Sequence, residues 1–384
     1  MVTVFTPIYN RAYIVERLYQ SLLRQTSYNF EWIIVDDGST DDIAGKIEGW
    51  RNGMDLFPIQ YVQQPNGGKH RAINKGVSIA NGDAFFIVDS DDYLTDNAIE
   101  LIEAWWKDIA GDDKFAGVSG LRASEDIDII GGVPAFNQYV DATNLEREEH
   151  GLNGDKAEVY KTAILKRYPF PEFEGETFLT ENVVWDKIAN DGYLIRWYNQ
   201  VTYICEYRED GLTRAGMEKF YASPRGWGLY IRQSRLFGRC DERKTRLDQM
   251  KYYGALHASL SEEDIMDNLG IERTECKYIS HYIVNTLELI GQHIAVYGLG
   301  MRGRWLLRLY EETPVVIEYV LDKGISSKEY KQLDPDEELP KVDAVIVTPR
   351  DGQEEILRSL RKRTDSRLIG YEEWQEIAFG ERED

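Results

Sequence analysis

Cysteine is nearly missing from this chain: Cys205, Cys240 and Cys276 are the only three in 384 residues, and no two are closely spaced. That excludes a disulfide framework and a cysteine-based zinc site, and it fits a reducing compartment. Histidine is as sparse, five scattered residues with no metal-binding run. Basic residues are outnumbered, 45 Lys and Arg against 67 Asp and Glu, for a formal net charge of -22. A chain this acidic is poorly suited to non-specific contact with nucleic acid or an anionic membrane. Long apolar runs are missing as well. No segment approaches the ~20 residues of a membrane span, and the N-terminus opens on Val2-Thr3-Val4-Phe5 without a basic leader. The expectation is a protein without a membrane span, free in the cytoplasm or peripheral at the inner face of the membrane, with no nucleic-acid partner.

What is present is alternation. Apolar runs at Val2–Phe5, Trp32–Val35, Ile59–Val62, Ala84–Val88 and Ala116–Ser119 predict strands. Between them, Ile14, Val15, Leu18, Leu22 and Leu23 mark one helix. Ile43, Ile47 and Trp50 mark a second, with Ser39, Thr40 and Asp41 as candidate caps. Ala72, Ile73, Gly76, Val77 and Ala80 mark a third, and Ile99, Ile102 and Trp106 a fourth. Alternating elements with near-continuous apolar strands predict an α/β fold, a mainly parallel sheet between helices. The pattern breaks near residue 125, resumes near Thr162, turns helical over 216–290 and becomes strand–helix again from His293.

Ligands of an open parallel sheet bind outside the carboxyl ends of its strands. Four polar clusters follow the first four strands: Thr6-Pro7-Ile8-Tyr9-Asn10-Arg11, Asp36 to Asp41, Asn66-Gly67-Gly68-Lys69, and Asp89-Ser90-Asp91-Asp92. Each alone is explained by capping or a turn; four converging on one edge are not. Asp89 and Asp91, after a buried strand, suit a hard divalent cation that takes carboxylate and phosphate oxygens.

These stretches, with Gln25-Thr26, Ala72, Asn74, Gly76 and Gly82-Asp83, resemble in order the nucleotide-sugar domain of glycosyltransferase family 2, the inverting enzymes of the GT-A fold. The resemblance spans roughly residues 1–120 and extends weakly to about 215. It implies a UDP- or dTDP-sugar donor and a carbohydrate or lipid-linked carbohydrate acceptor, in bacterial surface polysaccharide biosynthesis. It implies that Thr6, Pro7, Tyr9, Asn10 and Asp37 line the nucleotide, Asp37 accepting from a base N–H. Asn66, Gly67 and Gly68 would close over it, with Lys69 or Arg71 near phosphate. Asp89 and Ser90 would touch the donor, and Asp89 and Asp91 would serve the cation, Mg²⁺ or Mn²⁺. The family places a catalytic base in an acidic pair opening a later helix; the counterpart is Thr180-Glu181-Asn182. Asn182 cannot act as a base, which leaves Glu181, with Glu174, Glu176 and Asp186 as alternatives. Trp185 is core or a sugar platform.

The last hundred residues carry Gly298-Leu299-Gly300-Met301-Arg302-Gly303 after the strand Ile294–Tyr297, with Asp322 nineteen positions beyond Gly303 at the end of another strand. This spacing fits a dinucleotide fingerprint, so Gly298, Gly300, Gly303 and Asp322 are a candidate second nucleotide site. A further strand is expected over Asp343–Thr348. A module of this size is too short for a dehydrogenase, and an assembly, oligomer or regulatory role is expected of it. The organisation is therefore a catalytic domain over 1–215, a helical segment over 216–290 and a Rossmann-like domain over 291–384. The rival readings are a nucleotide-sugar or dinucleotide binding protein without transferase activity, and an NAD(P)-dependent oxidoreductase. A nucleotidyltransferase is disfavoured because Thr6-Pro7-Ile8-Tyr9-Asn10 stands where its Gly-rich loop belongs.

Overall fold

The computed structural model describes residues 1–53, 55–205, 217–257, 259–277, 279, 291, 293–310 and 315–374. The chain divides into two compact units, Met1–Ala215 with Leu236–Arg239, and Gly216–Arg235 with Cys240–Asp384.

In the first unit, β1 (Val2–Ile8), β2 (Phe30–Asp36), β3 (Ile59–Gln63) and β4 (Ala84–Ile87) lie parallel in the order β3-β2-β1-β4. β1, β2 and β4 are apolar at nearly every position because helices cover both faces of the sheet. Trp32, Ile34, Val4 and Phe86 are fully buried. The intervening helices α1 (Glu16–Leu23), α2 (Ile43–Arg51), α3 (Lys69–Ile79) and α4 (Ala98–Asp108) bury one stripe each, such as Leu18 and Leu22 of α1 or Ile99, Ile102 and Trp105 of α4. Gln25, buried after α1, accepts from the Ile99 amide and donates to the Thr95 carbonyl, tying α1 to the start of α4.

Ser39, Thr40 and Asp41 do not cap α2, which begins after Asp42 with no side-chain cap. They bond to the loop after β1 instead. Ser39 Oγ accepts from the Asn10 amide at 2.9 Å, the Thr40 amide donates to Asn10 Oδ1 at 2.7 Å, and Asp41 accepts from the Ala12 amide at 2.7 Å. Asn10 sits at φ 52, a left-handed conformation that Asn tolerates.

The other half of the sheet is mixed. β8 (Lys156–Lys161) runs antiparallel between β4 and β6 (Phe115–Ala123), β9 (Leu194–Ile204) runs parallel to β6, and β5 (Tyr93–Leu94) and β7 (Tyr139–Ala142) pair antiparallel with β9. α5 (Thr162–Arg167) follows β8, and α6 (Asn182–Asn190) precedes β9.

The second unit opens with α7 (Glu218–Tyr221), α8 (Pro224–Leu236), α9 (Glu242–Leu256) and α10 (Glu262–Leu269). Ser261 and Asp264 form a reciprocal capping box at the start of α10, and Gly270 ends it at φ 62. Beyond them lies a parallel five-stranded sheet in the order β12 (Gln332–Leu333), β11 (Val316–Leu321), β10 (His293–Tyr297), β13 (Ala344–Val347), β14 (Arg367–Gly370). Two helices, α11 (Met301–Tyr310) and α12 (Gln353–Leu360), lie along its chain. Trp227, Tyr252 and Ile265 of the helical segment share one buried cluster with Val296, Leu306, Ile346 and Trp374. The helical segment thus shares one core with the second sheet. Most of the expected boundary, residues 278 and 280–290, lies outside the described residues.

Two glycines of the first unit give a paired test. A Cβ on Gly76 of α3 would collide with the Phe5 ring, whereas one on Gly49 of α2 would meet nothing within 4 Å. Gly76→Ala is expected to lose about 1–3 kcal/mol through overpacking, and Gly49→Ala to gain about 0.5–1 kcal/mol through lower chain entropy. Urea denaturation of both variants reads the signs; a Gly76→Ala protein as stable as its parent would contradict the close approach of α3 to β1.

Candidate active site

Parallel strands of one sheet deliver their following loops to the same edge, and here three elements converge on one ammonium. Lys69, first residue of α3, places Nζ 2.6 Å from Asp89 Oδ1 beyond β4 and 2.8 Å from Glu181 Oε1 before α6. Burial alone would lower the Lys69 ammonium, but the two carboxylates overturn that and hold it above its ordinary value. Burial likewise pushes Asp89 up, and Lys69 with Arg122 outweighs it and holds Asp89 low. Glu181 occupies the N-cap position of α6 yet makes no side-chain cap bond. Its carboxylate faces Lys69 instead of completing the helix.

The glycine turn before α3 is built by Asp37. Asp37 Oδ1 accepts from the Gly67 amide at 2.9 Å and from Gln64 at 2.7 Å, and Oδ2 accepts from the Gly68 amide at 2.7 Å. Asn66 donates to the Asp37 carbonyl at 2.9 Å. Gly68 has φ 96, and a Cβ there would strike the Thr177 carbonyl, so only glycine fits. Asp36 is fully buried and fixed by Tyr61, Gln63 and the Ser39 amide. Burial works to raise its carboxyl, and these donors together hold it low.

Two of the expected contact residues are engaged within the protein. Thr6 is fully buried, its hydroxyl accepting from Trp32 Nε1 at 3.0 Å, so its side chain braces the sheet. Arg71, expected near phosphate, donates to the carbonyls of Gly67, Phe173 and Glu176 at 2.5 to 2.6 Å and pairs with Glu172. With Asn74, which bonds Phe170 and Glu172, it staples the 170–177 segment onto α3. Pro7 is half-buried and Tyr9 is 49% exposed beside Asn10 at the mouth of the edge. Ser90 is buried between Asp89 and Asp91. Among the alternatives for a base, Asp186 is buried and bonded to Asn144 at 2.7 Å, Glu176 is buried and Glu174 exposed. Trp185 is core, stacked on Tyr160 at 4.2 Å.

Unlike Asp89, the next two carboxyls of the turn are held high. Burial and then Asp89 raise Asp91; burial, Asp89 and Asp91 push Asp92 up to about 7. Among the described residues, no group of three or more His, Cys, Asp or Glu side chains is placed to hold a metal by itself. The donor set, carboxylate oxygens under mutual repulsion, still fits a hard divalent cation whose other ligands come from phosphate and water. Sequence reasoning missed two residues behind this turn, Arg122 of β6 and Tyr203 of β9; the Tyr203 hydroxyl bonds to both Asp89 and Asp92.

In the second unit, Asp322 accepts from the Leu299 amide at 2.6 Å and from Gly324 and Ile325, each at 2.7 Å. Its carboxylate holds the Gly298–Gly303 turn and the loop after β11. A Cβ on Gly303 would collide with the Gly298 carbonyl, so this glycine serves strand–helix packing.

The sheet order of the first unit, with the acidic turn at its carboxyl edge, fits the GT-A fold class. Residues 3–116 match the Glycosyl transferase family 2 profile, and the chain carries a domain of that family. Similar curated proteins are glycosyltransferases GlyG and GlyA of Streptococcus pneumoniae serotype 4. GlyG is 38% identical over 108 residues, 27% of this chain and 34% of GlyG. GlyA is 26% identical over 237 residues, 57% of this chain and 32% of GlyA. The matches span about a third of these relatives' own length. Among solved structures, S. aureus TarS 1-349 in complex with UDP-GlcNAc superposes with a TM-score of 0.50 at 19% identity, covering 75% of this chain and 86% of that one. At that identity the likeness is one of fold.

His70 supplies a pH test of the packing under Lys69. It is 2% exposed, its Nδ1 meets no hydrogen-bond partner among the described residues, and burial and then Arg71 push it down to about 4. Between its ordinary value of 6.5 and 4, the unfolded chain binds a proton that the folded chain does not, so stability falls as pH falls through that window. The Tm drop from pH 7 to pH 5 should therefore shrink in His70→Gln. An undiminished drop would show that His70 is not buried neutral.

Proposed function

We propose that the chain transfers a sugar from a UDP- or dTDP-sugar to a hydroxyl of a carbohydrate or lipid-linked carbohydrate acceptor, with inversion, in bacterial surface polysaccharide assembly. The observation that carries this is the convergence of Lys69, Asp89 and Glu181 at the carboxyl edge of the sheet, with the Glu181 carboxylate not engaged as a helix cap. The family 2 domain over 3–116 and the glycosyltransferase names of GlyG and GlyA support it.

In this reading Tyr9, Pro7 and the Asp37-built turn flank the nucleotide, and Asp91, with Asp89 behind it, holds Mg²⁺ or Mn²⁺. When bound, that cation neutralises charge on the departing diphosphate. Lys69 leans toward the same phosphates as a fixed positive charge. Glu181 takes the proton of the acceptor hydroxyl as its oxygen bonds to the anomeric carbon from the face opposite the leaving group. The bond from that carbon to the diphosphate breaks, and the nucleoside diphosphate leaves with the electron pair.

Two outcomes follow. Calorimetry with UDP or dTDP plus Mn²⁺ should show weaker binding in Asp91→Ala, and binding undiminished by EDTA would remove the cation from the account. Glu181→Gln should bind nucleotide like its parent and lose about 10²–10⁴-fold in transfer rate. If the Gln variant instead melts early but turns over normally per folded molecule, Glu181 is structural and the base lies elsewhere.

A further inference from the structure

Tyr203 lies near the end of β9 and is fully buried. β9 pairs antiparallel with β5 so that Tyr203 stands opposite Leu94, just beyond the acidic turn. Its hydroxyl accepts from the Asp89 amide at 2.9 Å and donates to Asp92 Oδ2 at 2.8 Å. A phenol has one proton to give and lone pairs to receive, so a single group holds the first and last residues of the turn. The ring is fixed on both sides. The Arg122 guanidinium lies 4.1 Å from its centroid, and Phe86 meets it edge-on at 6.1 Å. Arg122 is anchored in turn through Nε to the Lys156 carbonyl at 2.7 Å. Burial and the two aspartates hold the phenol well above its ordinary value.

Resting on the function proposed above, we propose that Tyr203 is a positioning residue for donor binding: by fixing the Asp89 amide and the Asp92 carboxylate, it sets the orientation in which Asp91 between them meets the cation and the diphosphate. Groups behind a metal ligand commonly control affinity without touching the ion. Tyr203→Phe removes one oxygen and takes a hydrogen-bond partner from the partly buried Asp89 amide and from the buried Asp92 carboxylate. Tyr198→Phe is the matched control. It lies on the same strand and loses a hydroxyl bond of similar length, 2.7 Å to Asp108, away from the turn.

The test is calorimetric titration of the full chain with UDP, dTDP, GDP and CDP, each with Mn²⁺, on the parent and both variants. Tyr203→Phe should bind the preferred nucleotide with Mn²⁺ about tenfold more weakly, while Tyr198→Phe binds like the parent. Equal affinity in a folded Tyr203→Phe protein overturns the positioning role. No binding of any nucleotide by the parent overturns the reading of the site itself, a separate result. If Tyr203→Phe does not fold, Arg122→Lys, which frees the ring from its stack, should weaken binding in the same direction, and unchanged affinity there overturns the proposal.

Discussion

One ammonium organises the carboxyl edge of the first sheet. Lys69 lies between Asp89 and Glu181, two carboxylates brought from β4 and from the loop before α6. Without it, two acids separated by 92 positions of chain would face each other in a partly buried site, where repulsion is weakly screened. The lysine is in turn aimed by what lies around it. Gly68 leaves room for the Thr177 carbonyl that a Cβ would strike, Asp37 pins the two glycine amides, and Arg71 clamps the 170–177 segment against α3. The strands supply direction, and these polar ties supply the angle.

The same logic explains why the acidic turn is divided. Asp89 is paired and held low, whereas Asp91 and Asp92 are held high by burial and by each other. Residues that repel in the free protein are those that gain most from a cation, and a nucleotide diphosphate brings oxygens to complete its shell. Under the proposed function, donor and cation together relieve this repulsion. The turn keeps its shape meanwhile because Tyr203 and Arg122 brace it from β9 and β6.

Much of the first sheet was legible because parallel strands buried on both faces leave continuous apolar runs, as in Trp32–Val35 and Ala84–Val88, and because the polar clusters after them stand in a fixed order. The mixed half was not. β7, β8 and β9 alternate with charged positions such as Lys156, Glu158 and Arg196, and their pairings join distant segments. Tyr203 bonds Asp89 across 114 positions, with no local signal to join them. The inward face of Thr6 was not legible because a strand residue next to a binding loop can face either the interior or the edge, and sequence spacing does not say which. The engagement of Arg71 with the 170–177 segment was not legible because its partners are backbone carbonyls, which carry no mark in sequence. In the second unit the glycine pattern was visible, but the engagement of Asp322 with the turn's own amides was not.

Under the proposed function, nucleotide diphosphate and a divalent cation meet at the Asp89–Asp92 turn. Crystals grown with UDP and Mn²⁺, with diffraction recorded at the manganese edge, test it directly. An anomalous peak is expected within coordinating reach of the Asp91 carboxylate, with the diphosphate beside Lys69. A nucleotide seated instead on the Gly298–Gly303 turn, or one bound at the first sheet with no manganese at Asp91, would contradict it.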